Sequence, residues 1–182
     1  IILTGVAAFF IISLGILLSQ QSQEDAKFAK ALNVYFDDLW KFYPTAGTLA
    51  GYYKYNDKLE DMSTDNIEKR LEALDVHNQE LVAKIDKSKL SSDNQIDCEI
   101  IIDALEMELF KLENLVPYQY NPIFYNDLLL QSVRSLFLRE FAPLDTRVKS
   151  ATERLKQLPN LIKQAKENLK TPAQIFTEKA LQ

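Results

Sequence analysis

The stretch Trp40-Lys-Phe-Tyr-Pro-Thr-Ala-Gly-Thr-Leu-Ala-Gly51 interrupts a chain that otherwise consists of long helical periods. It contains the only Trp, and Gly47 and Gly51 are the only glycines outside the apolar N-terminal run. Pro44 lacks an amide hydrogen and disfavours helical geometry at Tyr43, so one helix should end near Tyr43 and a new turn begin at Pro44. Two glycines four residues apart leave a bare helix face that another helix can approach closely. The stretch therefore predicts a tight corner between helices.

Apolar residues on both sides of this corner recur at steps of three and four, which is typical of amphipathic helices. Ser63 is the expected N-cap of one helix, and Ser92 with Gln95 has the spacing of a capping box at the start of another. No alternating run predicts a strand. The helices predicted in this part of the chain cover residues 23–42, 63–87 and 93–116, with a loop at 52–62.

Prolines divide the rest of the chain. Pro117 should close the third helix, Pro122 and Pro143 should each open another, and Pro159 and Pro172 should introduce breaks. The fold class predicted is therefore all-α, an irregular multi-helix bundle with proline-broken helices behind an N-terminal apolar helix. The residues expected to face inward on the helix after Pro143 are Leu144, Val148, Ala151 and Leu155.

Residues 1–18 are apolar apart from Thr4 and Ser13, and the first charged residue is Glu24. A helix of 18 to 20 residues spans roughly the hydrocarbon thickness of a bilayer. We expect residues 1–22 to be a signal peptide or an uncleaved membrane anchor, with a buried core helix as the simpler alternative. Residues 19–22 form no good cleavage site, which favours the anchor, and no Cys follows the run, which argues against a lipoprotein. Residues 23–182 would then form an exported helical domain.

The 182 residues carry a net charge of −5 without a cluster of Lys and Arg, so nucleic-acid binding is not expected. The chain begins with Ile and stops inside an amphipathic pattern at Gln182. We therefore expect it to be the N-terminal part of a larger protein.

The single His, His77, lies three residues before Glu80, a spacing that can share a metal on one helix face. A catalytic zinc site needs three protein ligands, so an exposed helical His is the simpler interpretation. Carboxylates also recur along one helix and could hold Ca²⁺ or act as an acid and base pair, but they alternate with apolar residues and are expected to be its solvated side. These carboxylates are Glu99, Asp103, Glu106 and Glu113.

The remaining candidates are no stronger. Asp37 and Asp38 are adjacent and point about 100° apart on a helix, so they form no pair. Cys98 falls in an apolar stripe and is expected to be a buried small hydrophobe. No Ser or Thr has a usable base beside it, so none is expected to act as a nucleophile. An aromatic set could line a ligand pocket but is more often core; its members are Trp40, Phe42, Tyr43, Tyr52, Tyr53 and Tyr55. The residues alone predict no catalytic, cofactor-binding or metal site.

Four motifs follow one another in an informative order. They are Trp40-x-x-x-Pro44-Thr45 with Gly51, then Tyr55-Asn-Asp57-x-Leu59-x-Asp61-x-Ser63, then Asn121-Pro122, and last Arg154-Leu-x-x-Leu158-Pro159-x-Leu161-x-x-Gln164-Ala165-x-x-Asn168-Leu169 with Pro172 and Glu178-x-Ala180. In this order they resemble the opening third of the bacterial family known as domain of unknown function 885. The resemblance covers residue 28 to the C-terminal end.

The resemblance implies an expected function. Members of that family look like largely helical zinc metallopeptidases, exported or lipid-anchored, whose zinc-binding His-Glu motif lies far downstream. That motif is absent here, so no catalytic residue is carried over. The chain would be the N-terminal helical scaffold that walls the substrate cleft, and zinc would belong to the remaining polypeptide, where it would activate a water for attack on a peptide bond. Its expected partners are the membrane through residues 1–18, the rest of the same protein and a peptide substrate.

A membrane-tethered extracytoplasmic sensor or binding module is the main alternative, because one apolar anchor followed by a helical domain also begins many receptors. A sensor would be expected to carry a second membrane span, and the sequence up to Gln182 offers none. A purely structural membrane-anchored bundle is a third reading.

Overall fold

A computed structural model describes the backbone of Ile2–Gln182 and the side chains of Leu17 and of Ser19 onwards. Throughout residues 2–182 the chain is helix or turn without a strand, which confirms the all-α prediction. The chain divides into two compact units. The first unit is Ile1–Tyr35 with Leu74–Glu108, and the second is Phe36–Ala73 with Leu109–Gln182.

Eight α-helices follow one another in the described part of the chain: α1 Ile2–Phe42, α2 Pro44–Ala50, α3 Thr64–Lys84, α4 Ser92–Phe110, α5 Pro117–Tyr120, α6 Pro122–Phe137, α7 Leu144–Asn168 and α8 Gln174–Ala180. Short 3-10 turns lie at Tyr53–Tyr55 and Lys87–Lys89, and a π-helical turn at Lys111–Leu115 extends α4. The predicted corner, the 52–62 loop and the helix that starts at Pro122 are confirmed.

The first unit packs parts of α1, α3 and α4 around an apolar core. The loop between α3 and α4 is held by two carboxylates of α1: Glu24 accepts the Asp86 amide at 2.8 Å and Asp25 accepts the Ser91 amide at 2.9 Å. Ser91 also caps α4, since its hydroxyl accepts the Asn94 amide at 3.4 Å. The predicted capping box at Ser92 is therefore wrong by one residue. The buried core side chains are Phe28, Tyr35, Leu74, Leu81, Leu90, Cys98, Ile101 and Leu105.

The predicted membrane segment, residues 1–18, lies almost wholly outside the described side chains. Its backbone from Ile2 onwards belongs to α1, which continues without a break to Phe42. Among the residues that the structure describes, no helix is long and apolar enough to cross a membrane.

The corner at Pro44 lies in the second unit. α1 ends at Phe42, and Pro44 occupies the first turn of α2 as predicted. A Cβ added to Gly47 would lie 3.1 Å from the Cβ of Trp40, so this glycine does permit a close approach. Gly51 has a different role from the one expected, because it ends α2 with φ +93°, a left-handed conformation that favours glycine.

Two predictions about α7 are wrong. Pro159 does not break the helix, which runs on to Asn168. Pro159 and Leu155 are exposed, so the Leu155 carbonyl that loses its helical partner can bond to water instead. The inward face was also misassigned, because Leu144, Val148 and Leu155 are 58, 46 and 49% exposed. Of the predicted inward residues only Ala151 is buried, and polar side chains occupy most of the face that packs on α6.

Candidate functional site

The inward face of α7 is polar. Four residues at steps of three, seven and four lie on one side of the helix and make hydrogen bonds to residues far away in sequence. We call them the polar face of α7: Arg154, Gln157, Gln164 and Asn168.

Arg154 is fully buried and joins three elements. One guanidinium nitrogen donates to the Ser132 carbonyl at 2.9 Å and to the Ser135 hydroxyl at 2.8 Å, both on α6. The other donates to the Pro44 carbonyl at 3.2 Å and to the Thr48 hydroxyl at 2.7 Å, both on α2. Burial lowers the pKa of Arg154 to about 10, so the group is still a cation at neutral pH. A buried cation with four acceptors holds α2, α6 and α7 together.

Glu60 is a buried carboxylate whose charge interacts with that of Arg154. Its side chain is 4% exposed, and one oxygen accepts the Thr45 amide at 3.0 Å and the Thr45 hydroxyl. The other oxygen has no hydrogen-bond partner among the described residues. Burial raises the pKa of Glu60, while the bonds from Thr45 and the charge of Arg154 act in the opposite direction. This carboxyl fixes the start of α2 and favours its neutral form.

Three amide side chains bind the segment between α2 and α3. Gln157 accepts the Leu59 amide at 3.1 Å and donates to the Asp57 carbonyl at 2.7 Å. Gln164 accepts the Met62 amide at 2.9 Å and donates to Asp61 at 2.6 Å.

Asn168 completes the series by donating to the Met62 carbonyl at 2.7 Å and to the Tyr125 hydroxyl at 2.9 Å. A loop that lacks strand partners thus has its backbone groups satisfied by one helix.

Asn168 also lines an open cavity of about 440 Å³ in the second unit. Ile67, Leu71 and Leu112 supply an apolar floor, and charged side chains of both signs stand at its edge. Glu68, Glu113 and Lys170 are these charged residues, and the side-chain amides of Gln119 and Asn168 also line the cavity. An apolar floor with a few amide and charged groups is the usual composition of a small-ligand site.

The backbone at the edge of this cavity is strained. Val116 has φ 37° and ψ 49°, a left-handed conformation that is rare for a β-branched residue. It ends the π-helical turn, where its amide donates to the Lys111 carbonyl at 2.9 Å, and it precedes Pro117. Strained backbone of this kind clusters at binding sites, so it supports the choice of this cavity as a candidate site.

His77 is not the exposed helical residue that was expected. It is only 6% exposed, and its ring meets that of Tyr35 edge to face at a centroid distance of 5.5 Å. The helix that carries it therefore turns this His inward, as a packing residue of the first unit. Cys98 is buried as expected, and burial raises the pKa of its thiol, which makes it a poor nucleophile.

The four candidate carboxylates are all exposed. Glu99, Asp103 and Glu106 lie on α4, Glu113 lies on the π-helical turn, and Glu99 pairs with Lys87. Within the described side chains no group of three or more His, Cys, Asp and Glu could hold a metal ion.

Asp37 makes a cluster that its sequence position did not suggest. Its carboxylate accepts from Lys54 at 2.7 and 2.8 Å, from the Tyr52 hydroxyl at 2.6 Å and from the Tyr55 hydroxyl at 3.1 Å. The hydrogen bond from Lys54, followed by that from Tyr52, holds the pKa of Asp37 below its ordinary value. The cluster fastens the turn after α2 to the end of α1.

The aromatic set near the corner is only partly core, since Phe42 alone is buried. Tyr53 is 38% exposed and stacks on Phe141 at a centroid distance of 4.1 Å.

These features define an all-helical domain whose second unit is braced by a buried polar helix face. The family described as bacterial protein of unknown function, DUF885, matches residues 44–182, and the chain belongs to that family. The match includes the corner after Tyr43 and the whole of α7.

A solved structure has the same fold over most of the chain. It is described as a proposed lipoprotein of unknown function from Shewanella oneidensis, is 26% identical in sequence and superposes with a TM-score of 0.77. The similarity covers 85% of this chain and 28% of that protein. No curated protein matches the sequence.

The polar face of α7 could have been found from the sequence only through the family motif. Arg154, Gln164 and Asn168 belong to the Arg-Leu…Leu-Pro…Gln-Ala…Asn-Leu pattern, and each is buried and hydrogen-bonded. Periodicity misses them because it assigns polar residues to the solvated face.

Proposed function

We propose that the chain is the N-terminal helical scaffold of an exported metallopeptidase-like protein, and that it forms part of the wall of a peptide-binding cleft without supplying catalytic residues. The observation that carries the proposal is that the polar residues of the family motif are buried and make structural hydrogen bonds. These residues bind the corner and the 57–62 segment from inside, as expected of a scaffold and not of a reactive centre.

The cavity beside Asn168 is the proposed part of the cleft wall. Side-chain amides at Gln119 and Asn168 can donate to and accept from a peptide backbone, and the apolar floor suits a peptide side chain. Because Asn168 also donates to the Met62 carbonyl, the edge of the cavity is connected to the 57–62 segment.

Export and membrane attachment through residues 1–18 are parts of the same proposal. The similarity to a proposed lipoprotein supports an exported location. The match covers only 28% of that protein, and any zinc chemistry would belong to polypeptide outside this chain.

Metal and peptide binding by the full 182-residue chain test the scaffold role. We expect no stoichiometric zinc uptake and no peptide hydrolysis, and an NMR titration with short unrelated peptides should shift the backbone amides of Gln119 and Lys170. A Lys170→Glu variant should change these shifts, and Lys149→Glu, an exposed position on α7 outside the cavity, should not. Tight binding of one zinc would refute the scaffold role, and peptide shifts confined to other regions would refute the cleft wall.

The reading frame beyond Gln182 separates the proposal from the sensor alternative. A continuation that carries a His-Glu zinc motif supports the peptidase parent. A second membrane span that leads into a signalling domain would contradict it and favour a tethered sensor.

A further inference from the structure

α4 is apolar on its outer face as well as on its inner face. Ile96, Ile100 and Met107 are 58, 58 and 52% exposed, although Ile101 and Leu105 of the same helix are buried in the first unit. At 100° per residue the three exposed residues lie within about 40° of one another around the helix axis. They form one stripe, which we call the outer stripe of α4.

An apolar stripe with a second apolar face behind it is unusual for a helix that borders solvent. Such a helix normally has one apolar and one polar face, and helices that are apolar all round are covered on both sides. Contiguous exposed apolar residues with a polar border are typical of interaction surfaces.

The charge around the stripe limits what can cover it. α4 carries six Asp and Glu residues and no Lys or Arg. Acidic residues border the outer stripe on both sides, and all five are exposed: Glu99, Asp103 and Glu106 on one side, and Asp93 and Asp97 on the other. Lys87 precedes the helix and pairs with Glu99 of this acidic border.

We propose that the outer stripe of α4 is a docking surface for a cationic amphipathic helix, whose apolar face covers the stripe and whose Lys or Arg side chains pair with the acidic borders. A helix of this kind fits both properties of the surface, the apolar centre and the negative rim. The proposal does not depend on the peptidase assignment.

The same charges argue against two other occupants. A second copy of α4 would bring acidic borders against acidic borders in either orientation, and like charges across a helix pair are repulsive. An anionic membrane surface attracts basic segments, and this rim is acidic.

Fluorescence anisotropy with a labelled 18-residue helical peptide of Leu and Lys tests the proposal on the full chain. We expect saturable binding that weakens as salt is raised, and no binding of the matched peptide in which Glu replaces Lys. Equal binding of the two peptides, or no binding of either, would overturn the proposal.

Two variants with the same change of charge locate the site. Ile100→Lys should weaken binding at least about tenfold by placing a cation in the stripe. Val82→Lys, at a position on α3 that is 57% exposed, should leave the affinity unchanged. Equal weakening by both variants would reduce the binding to net charge and refute the docking surface. Sedimentation that shows a dimer of the chain, abolished by Ile100→Lys, would refute it in favour of self-association.

Discussion

α7 and α4 depart in different ways from the usual amphipathic helix, which buries apolar residues and exposes polar ones. α7 buries Arg154 and Gln164 while Leu155 is half exposed, whereas α4 exposes Ile96 and Ile100 and buries apolar residues too. Each departure has a separate cause. The buried polar groups of α7 have hydrogen-bond partners inside the second unit, so burial is tolerated. The exposed apolar groups of α4 have no such internal explanation, so we assign them to a partner.

Removal of the Arg154 guanidinium should give the largest effect. Arg154→Met removes the charged donor that binds the Thr48 and Ser135 hydroxyls and the Ser132 and Pro44 carbonyls at a buried position. We expect the free energy of unfolding in urea to fall by about 3 to 5 kcal/mol, because several charge-assisted hydrogen bonds are lost together. Arg139→Met, at an exposed position, should change it by less than about 0.5 kcal/mol. Similar values for both variants would mean that the cation does not brace α2, α6 and α7.

Asn168 should contribute less, because it donates two hydrogen bonds without a charge. Asn168→Leu leaves the Met62 carbonyl unpaired and removes the donor to Tyr125, so about 1 to 3 kcal/mol of stability should be lost. Asn160→Leu, an exposed position on the same helix, is the matched control. A loss as small as that of the control, measured in the same urea titration, would argue against the bracing of the 57–62 segment.

Glu60 should give the second unit a distinctive pH dependence. Burial raises the folded-state pKa of Glu60 above its ordinary value of 4.5, so the protonated form is favoured by folding. The stabilisation from this group is fully present below about pH 4.5 and is lost as the pH rises through the folded pKa, at up to about 1.4 kcal/mol per pH unit.

Glu60→Gln, which keeps an oxygen for Thr45 but cannot ionise, isolates this contribution. The free energy of unfolding of the unsubstituted chain, measured by urea titration from pH 4 to pH 7.5, should decline relative to that of the variant. Other carboxylates affect both proteins equally and cancel in the difference. Parallel curves would show that Glu60 is solvated in the folded chain.

The smallest effect is expected on α4. Ile100→Lys replaces an exposed side chain without removing an internal contact, so the free energy of unfolding should change by less than about 0.5 kcal/mol. Thermal melts of this variant and of Val82→Lys should coincide. A large loss of stability in Ile100→Lys alone would mean that the stripe is packed within the chain and would contradict the docking surface.

Local sequence signals predicted the helices and the corner well. Pro44, Ser63 and Pro122 act at the starts of helices through their own backbone and side-chain chemistry, so their roles are visible in sequence. Gly47 was correctly expected to allow close packing, but the need of Gly51 for a positive φ depends on how α2 ends.

Hydrophobic periodicity did not predict the buried polar residues. Arg154 is buried because acceptors from α2 and α6, far away in sequence, meet around it. His77 is buried for the same kind of reason, a ring contact with Tyr35 on another helix. Pro159 does not end α7 because its surroundings are exposed. Each of these outcomes depends on the tertiary surroundings of the residue, either its partners or its exposure, which a local pattern does not contain.

α7 satisfies the backbone hydrogen bonds of the 57–62 segment as a neighbouring strand would in a sheet. Amide hydrogen exchange followed by NMR tests it at Leu59 and Met62, whose N–H groups donate to Gln157 and Gln164. We expect both amides to exchange at least about a hundredfold more slowly than unbonded loop amides. In Gln164→Met the protection of Met62 should disappear while that of Leu59 remains. Fast exchange of both amides in the unsubstituted chain would contradict the account.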